Sequence, residues 1–397
     1  MPEQLAIEGG QPVRDRMLPY GRQTIDEADI AAVVKVLRSD WLTTGPQVEA
    51  FEQAFARRVG AEHAVAVNSG TAALAAAYHA LNLRPDDEVI VPAITFASTA
   101  NAVIQIGANP VIVDVAPDTL LIDSQSIEAR ITPRTRAIVA VDYAGQPCDY
   151  EDLRVVADRH GLMVVSDACH ALGATWRGKS VGCLTPLTVF SFHPVKVITT
   201  GEGGMVTTSD SALAERMRAF RNHCITADFR ERASRGSWEY TIDELGGNYR
   251  LSDMQCALGL SQLGKLDDFV ARRRAVAARY DELIADVPGV APLMVQPEVG
   301  HAYHLYVVRL EVERLTADRR AIFAALRAEG VGVNVHYLPV HLHQLYRERY
   351  GTKPGDCPDA EAAYERILSL PIFPGMSDAD ATDTVTALAK VLRRYQR

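Results

Sequence analysis

Between residues 62 and 209, short apolar runs alternate with segments of helical periodicity, and this alternation constrains the fold more than any other feature. The runs are rich in Val, Ile and Ala, which is typical of strands buried on both faces. Strands separated by helices pair in parallel, and the helices cover both faces of the sheet. The pattern predicts an α/β domain with strands at 63–68, 88–92, 109–115, 136–143, 161–167, 187–192 and 203–209.

Helical spacing of apolar residues marks much of the remaining chain. Residues 251–288 are expected to form one long helix or two shorter ones, and the composition changes after Pro288. We therefore predict an N-terminal arm and large domain over 1–288 and a small α+β domain over 289–397. The predicted elements are helices at 26–38, 46–59, 71–83, 149–159, 210–221, 316–329, 358–369 and 377–394, and strands at 303–312 and 333–339.

Composition and charge exclude several classes of protein. The 41 basic and 50 acidic residues leave a net charge of −9, which disfavours a general binder of nucleic acid. The longest charge-free stretch, 89–113, contains two prolines and three amides, so we expect strand, helix and strand rather than a membrane span. Six cysteines without a CxxC pair, and no secretory signal in MPEQLAIEGG, predict unpaired thiols in the cytoplasm.

The segment NSGTAAL, residues 68–74, follows a predicted strand and opens a predicted helix. Backbone N–H groups at a helix N-terminus attract anions, and the hydroxyls of Ser69 and Thr71 can add hydrogen bonds. Simple helix capping by Ser or Thr explains the same residues. The nucleotide-binding pattern GxxxxGK[ST] is absent, so the phosphate of a cofactor fits better than a nucleoside triphosphate.

Asp167 and Lys196 each follow an apolar strand. A carboxylate at a buried strand end needs a partner, which is either the next helix or a buried cation. His170 could contact the same ligand or simply pack in the core. Lys196 could be an ordinary surface lysine, but a lysine with a lowered pKa can form a Schiff base. A phosphate cradle, an acid and an amine on successive strand ends are what pyridoxal phosphate requires.

Four segments together resemble the DegT-type sugar-nucleotide aminotransferases: NSGTAAL, SDACHALG, SFHPVKVITTGEGGMV and NYRLSDMQCALGLSQL. The resemblance extends from about Pro19 to Leu392. It implies the aspartate-aminotransferase-like scaffold called fold type I, with a mostly parallel sheet flanked by helices in the large domain and a small C-terminal α+β domain. It also implies pyridoxal 5′-phosphate as cofactor and a homodimer with shared active sites.

The resemblance implies catalytic roles for two residues. Lys196 would form the Schiff base and move the proton, and Asp167 would pair with the pyridine nitrogen. Asn248 would reach the phosphate of the neighbouring subunit. The implied cofactor contacts are Ser69, Gly70, Thr71, Phe96, Asp167, His170, Ser191, Lys196 and Asn248. The implied sugar-nucleotide contacts are Tyr20, Trp41, Leu42, Thr43, Thr44, Ser69, Tyr249 and Arg250.

Four further segments, PYGRQTID, SDWLTTGP, VDYAGQPCD and VNVHYLPVH, narrow the resemblance. They imply transfer of the amino group of L-glutamate to the 4-keto carbon of a UDP-linked 2-acetamido-2,6-dideoxy-hexos-4-ulose. A 4-keto precursor of perosamine or 4-amino-arabinose is the alternative substrate. A non-catalytic cofactor-binding regulator is a more distant alternative. Lys196 argues against the regulator, and also against the dehydratases of the family, in which histidine replaces this lysine.

Two departures from the family pattern are Val197, after the lysine, and Cys224, where glycine is usual. His336, His341 and His343 raise the question of a metal, but no cysteine or carboxylate completes a recognised spacing, so we expect packing and contacts at the pocket mouth. An Arg-rich span is expected on a solvated face, although one or two members could meet a diphosphate. Its members are Arg216, Arg218, Arg221, Arg230, Arg232 and Arg235.

Overall fold

The computed structural model describes residues 4–225, 232, 234 and 236–397. Its centre is a seven-stranded sheet of order β1-β9-β8-β5-β4-β2-β3, in which only β9 runs against its neighbours. The strands are β1 (His63–Val67), β2 (Glu88–Pro92), β3 (Asn109–Val113), β4 (Thr135–Val141), β5 (Met163–Asp167), β6 (Thr175–Trp176), β7 (Lys179–Ser180), β8 (Leu187–Ser191), β9 (Gly204–Thr208), β10 (Val290–Pro292), β11 (Val299–Gly300), β12 (Tyr306–Leu310) and β13 (Ile367–Leu370).

Helices connect the strands of this sheet and cover it. The α-helices within the described residues are α1 (Glu27–Leu37), α2 (Pro46–Val59), α3 (Gly70–Ala80), α4 (Ala97–Ile106), α5 (Ser124–Glu128), α6 (Tyr150–His160), α7 (Ser211–Phe220), α8 (Asp253–Leu263), α9 (Leu266–Ile284), α10 (Arg319–Ala328), α11 (Gln344–Tyr350), α12 (Pro358–Tyr364) and α13 (Asp378–Tyr395). None of the described helices is long and apolar enough to cross a membrane.

The predicted α/β class and the mostly parallel sheet are confirmed. The charge-free stretch folds as β2, α4 and β3, as expected, and residues 251–288 form two helices, α8 and α9. Two local predictions are wrong. The predicted strand at 333–339 contributes a single bridge from Asn334 to Ser369, and the end of the predicted helix at 358–369 is strand β13. A segment as short as the four residues of β13 does not show enough periodicity to distinguish a strand from the end of a helix.

A second core lies beside the sheet β10-β12-β13 and includes side chains from α9, α10 and α13. Leu5 and Leu18 of the N-terminal segment belong to this core and are almost completely buried. The N-terminal segment therefore packs against residues that lie more than 250 positions later in the sequence, and it leads directly to Tyr20. The division of the chain at residue 288 remains a prediction.

A buried ion pair holds the N-terminal segment. Lys390 Nζ lies 2.9 Å from Glu329 Oε2, and both side chains are buried. The same carboxylate accepts hydrogen bonds from the backbone N–H groups of Ala6, at 2.8 Å, and Val13, at 3.0 Å. Removing one member of such a pair leaves an uncompensated charge in a medium of low dielectric constant.

We expect Glu329→Ala to lower the free energy of unfolding by about 3–5 kcal/mol, because it removes the carboxylate that pairs with the buried Lys390 ammonium and accepts from two backbone N–H groups. Urea unfolding monitored by circular dichroism measures the change. Glu313→Ala is the matched control, since Glu313 forms only an exposed pair with Arg366, and such pairs contribute little. Equal unfolding midpoints for both variants would contradict the role of Glu329.

Candidate active site

One edge of the central sheet collects the polar side chains that the sequence singled out. Strands β1, β2, β4, β5 and β8 point the same way, so their carboxyl ends meet at this edge. Ligands of open α/β sheets bind at this position. Ser69 follows β1, Phe96 follows β2, and Asp167 and Ser191 end β5 and β8.

The N-terminus of α3 forms a cradle beside β8. Ser69 caps the helix and accepts a hydrogen bond from the N–H of Ala72 at 3.1 Å. The Thr71 hydroxyl lies 2.7 Å from the Ser98 hydroxyl. At Gly70, a β-carbon would lie 2.9 Å from Cβ of Ser191, so only glycine allows the helix to approach the strand this closely. The cradle thus brings free N–H groups and hydroxyls together, which suits a phosphate.

Asp167 is almost completely buried at the end of β5. Its Oδ2 accepts a hydrogen bond from the Thr99 hydroxyl at 2.7 Å, and its Oδ1 accepts one from the Cys169 N–H at 3.2 Å. Within the described residues, no cationic side chain lies within ion-pair distance of this carboxylate. A buried carboxylate that has only neutral donors is suited to a cationic ligand.

Lys196 lies in the loop after β8, where its N–H donates to the carbonyl of His193 at 2.9 Å. Burial lowers the pKa of the Lys196 amine, while the nearby Cys169 and Asp167 partly oppose this shift. The carboxylate of Asp167 is thus close enough to act on the Lys196 amine through its charge. The part of the chain that the structure describes offers no ion-pair partner for the amine. A lysine in this state can lose its proton and act as a nucleophile.

His170 stands at the centre of an aromatic cluster beside Asp167. Its Nε2 lies 3.1 Å from the Tyr337 hydroxyl, and its ring centre is 4.4 Å from that of His304. Burial, and then the charge of Lys196, lower the pKa of His170, so the imidazole is neutral at pH 7. Phe96 is exposed, and its ring centre lies 5.8 Å from that of Tyr337. Tyr337 thus lies next to both Phe96 and His170.

Behind Asp167 lies a second acid, Asp142, which is completely buried. Its carboxylate accepts hydrogen bonds from the Tyr150 hydroxyl at 2.6 Å, the Cys148 N–H at 2.9 Å and the Ser166 hydroxyl at 3.1 Å. Burial raises the pKa of Asp142 to about 7, although these hydrogen bonds oppose the shift. Its charge therefore changes near neutral pH.

We expect the folded state to lose stability relative to Asp142→Asn as the pH rises from 5 to 8. The folded chain retains a proton on Asp142 up to about pH 7, whereas the unfolded chain releases it near 3.8, so stability falls across this window. The difference should be about 2–3 kcal/mol. Urea unfolding of both proteins at four pH values measures it, and an unchanged difference would contradict the raised pKa.

The side chains proposed for the sugar nucleotide fall into two groups. The ring of Tyr20 is 5.6 Å from that of His336, at the edge of the aromatic cluster. The Trp41–Thr44 turn packs against a different element: Thr43 bridges Ser252 in an antiparallel pair. The single chain therefore places Tyr20 near the cluster and fastens the turn to the start of α8.

Residues 248–250 lie beside the α3 cradle. The side-chain amide of Asn68 donates to the carbonyl of Asn248 at 3.3 Å, and the N–H of Asn68 donates to the carbonyl of Tyr249 at 2.8 Å. Arg250 donates to the Asn222 side chain at 2.6 Å. Asn248 is exposed, and it lines the same groove as Ser69 and Thr71.

Four of the six members of the Arg-rich span lie within the described residues. Arg221 pairs with the buried Glu52 and Arg216 pairs with Glu244, so these two are structural. Arg230 and Arg235 lie outside the described residues. Cys224 has a φ of 52°, a left-handed conformation that explains why glycine is usual there.

His336 Nδ1 lies 2.8 Å from the Ser369 hydroxyl, and His341 Nε2 lies 2.9 Å from Glu361 Oε1. Across residues 4–225 and 236–397, no three potential ligands gather around one metal position. Val197 is buried in the core beside Phe190 and Phe192.

Sequence reasoning missed four residues around the site: Thr99, His304, Asn334 and Tyr337. Thr99 was detectable, because it follows Phe96 at the start of a predicted helix. Tyr337 and Asn334 lie in VNVHYLP. This segment was predicted as a strand of the small domain, so neither side chain was considered for the site. His304 had no local signal, since only tertiary packing brings it to His170.

The arrangement fits pyridoxal phosphate. The buried Nδ1 atoms of His170 and His304 have no hydrogen-bond partner within the described residues, as expected of groups that face a polar ligand. Any residue other than glycine at position 70 would place its β-carbon against Ser191 and occupy the cradle. An amine with a lowered pKa and a nearby buried carboxylate that has only neutral donors within the described residues suit the aldehyde and the ring nitrogen of this cofactor.

Comparisons with known proteins agree with this chemistry. Residues 23–389 match the DegT/DnrJ/EryC1/StrS aminotransferase family. The spore coat polysaccharide biosynthesis protein SpsC of Bacillus subtilis is 42% identical over 96% of this chain and 98% of its own. PseC of Helicobacter pylori, an aminotransferase of pseudoaminic acid biosynthesis, superposes with a TM-score of 0.90 at 34% identity, over 96% of this chain and 100% of its own.

A sugar aminotransferase of Streptococcus pneumoniae, Spr1654 in its PLP form, superposes with a TM-score of 0.89 at 32% identity, over 95% of this chain and 99% of its own. The protein is thus a pyridoxal-phosphate-dependent sugar aminotransferase. It belongs to the DegT/DnrJ/EryC1/StrS aminotransferase family, which confirms the resemblance and the cofactor expected from the sequence.

Proposed function

We propose that this enzyme transfers the amino group of L-glutamate to the 4-keto carbon of a UDP-linked 2-acetamido-2,6-dideoxy-hexos-4-ulose. The products would be UDP-4-amino-4,6-dideoxy-N-acetyl-β-L-altrosamine and 2-oxoglutarate. The observation that carries the catalytic part of the proposal is the lowered pKa of the Lys196 amine in the neighbourhood of the buried Asp167 carboxylate, at one edge of the sheet. The similarity to PseC supports this sugar.

Pyridoxal phosphate, when bound, supplies an aldehyde for the amino group and a protonated ring that accepts electrons from the reacting carbon. Asp167 would keep the ring nitrogen protonated. The α3 N-terminus, with Thr71 and Ser191, would hold the phosphate, and Phe96 and His170 would orient the ring.

Lys196 would take the proton from the α-carbon of glutamate, and the lowered pKa of its amine favours the neutral form that this step needs. In the second half-reaction the same amine would return a proton to the carbon at position 4 of the sugar. The residues that we propose for the sugar nucleotide are Tyr20, Trp41, Leu42, Thr43, Thr44, Ser69, Tyr249 and Arg250.

The substrate is tested by incubating the holoenzyme and glutamate with each of three 4-keto sugars: the UDP-linked acetamido sugar, the GDP-linked perosamine precursor and the UDP-linked 4-amino-arabinose precursor. Mass spectrometry detects the amino sugar. We expect rapid turnover of the first only. Turnover of another sugar would assign the enzyme to that substrate, and a glutamate half-reaction without any sugar product would contradict the proposal.

We propose a homodimer with shared active sites. Trp238 and Leu245 are 81% and 89% exposed in the single chain, and Leu245 lies in the groove that contains Asn248 and Ser69. The residues between Trp238 and Leu245 include two more large apolar side chains that are at least half exposed, and such a concentration of exposed apolar surface is typical of a protein interface. Light scattering during size-exclusion chromatography should give about twice the mass of one chain. A monomer would overturn the proposal.

We also propose a cytoplasmic enzyme. All six cysteines are free, as is usual in a reducing compartment.

A further inference from the structure

Asp253 connects two segments that are about 200 residues apart. It is the first residue of α8 and is completely buried. Its Oδ2 accepts a hydrogen bond from the Gly45 N–H at 2.6 Å, and its Oδ1 accepts one from the Gln47 N–H at 3.0 Å. The Asp253 N–H donates to the carbonyl of Leu42 at 3.0 Å. The carboxylate and the backbone of Asp253 thus hold both sides of one turn, residues 42–47.

This turn is strained and tightly packed. Thr44 has a φ of 54°, which is rare and strained for a β-branched residue. A β-carbon at Gly45 would lie 2.5 Å from Asp253 Oδ1 and 2.6 Å from Cβ of Trp41. Such a conformation persists only where the surroundings hold it. The Asp253 carboxylate provides these contacts, because it is the acceptor for the two N–H groups that follow Thr44.

The same helical turn reaches the loop that follows Lys196. The Gln255 side-chain amide donates to the carbonyl of Glu202 at 2.7 Å, and its oxygen accepts a hydrogen bond from the Ser252 hydroxyl at 2.8 Å. The start of α8 therefore lies between the active-site loop and the turn. Trp41 and Leu42, at the beginning of the turn, remain 41% and 46% exposed, so a buried acid supports a partly exposed apolar surface.

We propose that Asp253 is a positioning residue for the nucleotide sugar, which holds the turn in the shape that presents Trp41 and Leu42 to this substrate. The inference rests on the proposed function. No hydrogen bond joins Asp253 to Lys196 or Asp167 within the described residues. Loss of the carboxylate should therefore impair the sugar half-reaction and leave the glutamate half-reaction intact.

The test compares the two half-reactions of the holoenzyme in single-turnover experiments. We expect Asp253→Ala to raise the KM for the nucleotide sugar at least about tenfold, the effect of losing a charged hydrogen bond, with less than a twofold change in the glutamate half-reaction. Asp253→Asn retains one acceptor and should recover part of the loss. Gly45→Ala, whose new β-carbon would collide with Asp253 and Trp41 and displace the turn while the carboxylate is retained, should reproduce the defect.

Ser252→Ala is the matched control, because it removes the cap of α8 but keeps Asp253. It should leave the KM for the sugar within twofold of the wild type. Equal losses in both half-reactions, an unchanged KM in Asp253→Ala, or an equal defect in Ser252→Ala would overturn the positioning role alone. A wild-type enzyme that reacts with glutamate but binds no UDP-, GDP- or TDP-sugar would overturn the proposed substrate class together with this role.

Discussion

Lys196→Ala is expected to abolish both half-reactions, with a loss of about 10⁴-fold or more, the upper range for one acid–base group. The variant lacks the amine that would move protons at the reacting carbon, and the other described lysines belong to other parts of the fold. Absorbance of the purified enzyme, before and after glutamate is added, measures the first half-reaction, and product mass measures the second.

Lys179→Ala is the control for this variant, because Lys179 is exposed in β7. It should retain wild-type rates and the visible absorbance of the lysine-bound cofactor. A small amine such as methylamine should partly restore proton transfer to Lys196→Ala, since it can enter the space left by the side chain. Full turnover by Lys196→Ala without added amine would refute the assignment.

Asp167→Ala is expected to lower the rate of both half-reactions by about 10²–10³-fold, the usual cost of removing one preorganised electrostatic contact. Without the carboxylate the ring nitrogen of the cofactor would lose its proton, and a neutral ring accepts electrons poorly. Cofactor affinity should fall as well. Stopped-flow absorbance measures the rates, and titration of the apoenzyme with pyridoxal phosphate measures the affinity.

Asp167→Asn separates charge from packing. It keeps the shape of the side chain and one oxygen, which can accept from the Cys169 N–H, while its NH2 group can donate to the Thr99 hydroxyl oxygen; it should therefore fold like the wild type but react as slowly as Asp167→Ala. Thr99→Val removes only one supporting hydrogen bond and should slow the reaction by about tenfold or less. A rapid Asp167→Asn variant would show that the negative charge has no catalytic role.

Much of the fold follows from local patterns. Continuous Val and Ile runs identified the strands of the central sheet, and apolar spacing located α1, α2 and α6 within a few residues. Because parallel strands end at one edge, the sequence alone could predict that Asp167 and Ser191 would lie near the α3 N-terminus. The prediction failed at 333–339 and in β13, where short segments take their conformation from distant partners.

The sequence by itself determined the α/β class, the shared edge of the strand ends and the residue types suited to pyridoxal phosphate, because these depend on periodicity and on topology rules. Only the tertiary structure decided the strand order, the hydrogen bond from Thr99 to Asp167 and the packing of His304 on His170. It alone showed that Asp253 holds a turn more than 200 residues away. Such contacts depend on how separate elements pack, and local periodicity carries no record of them.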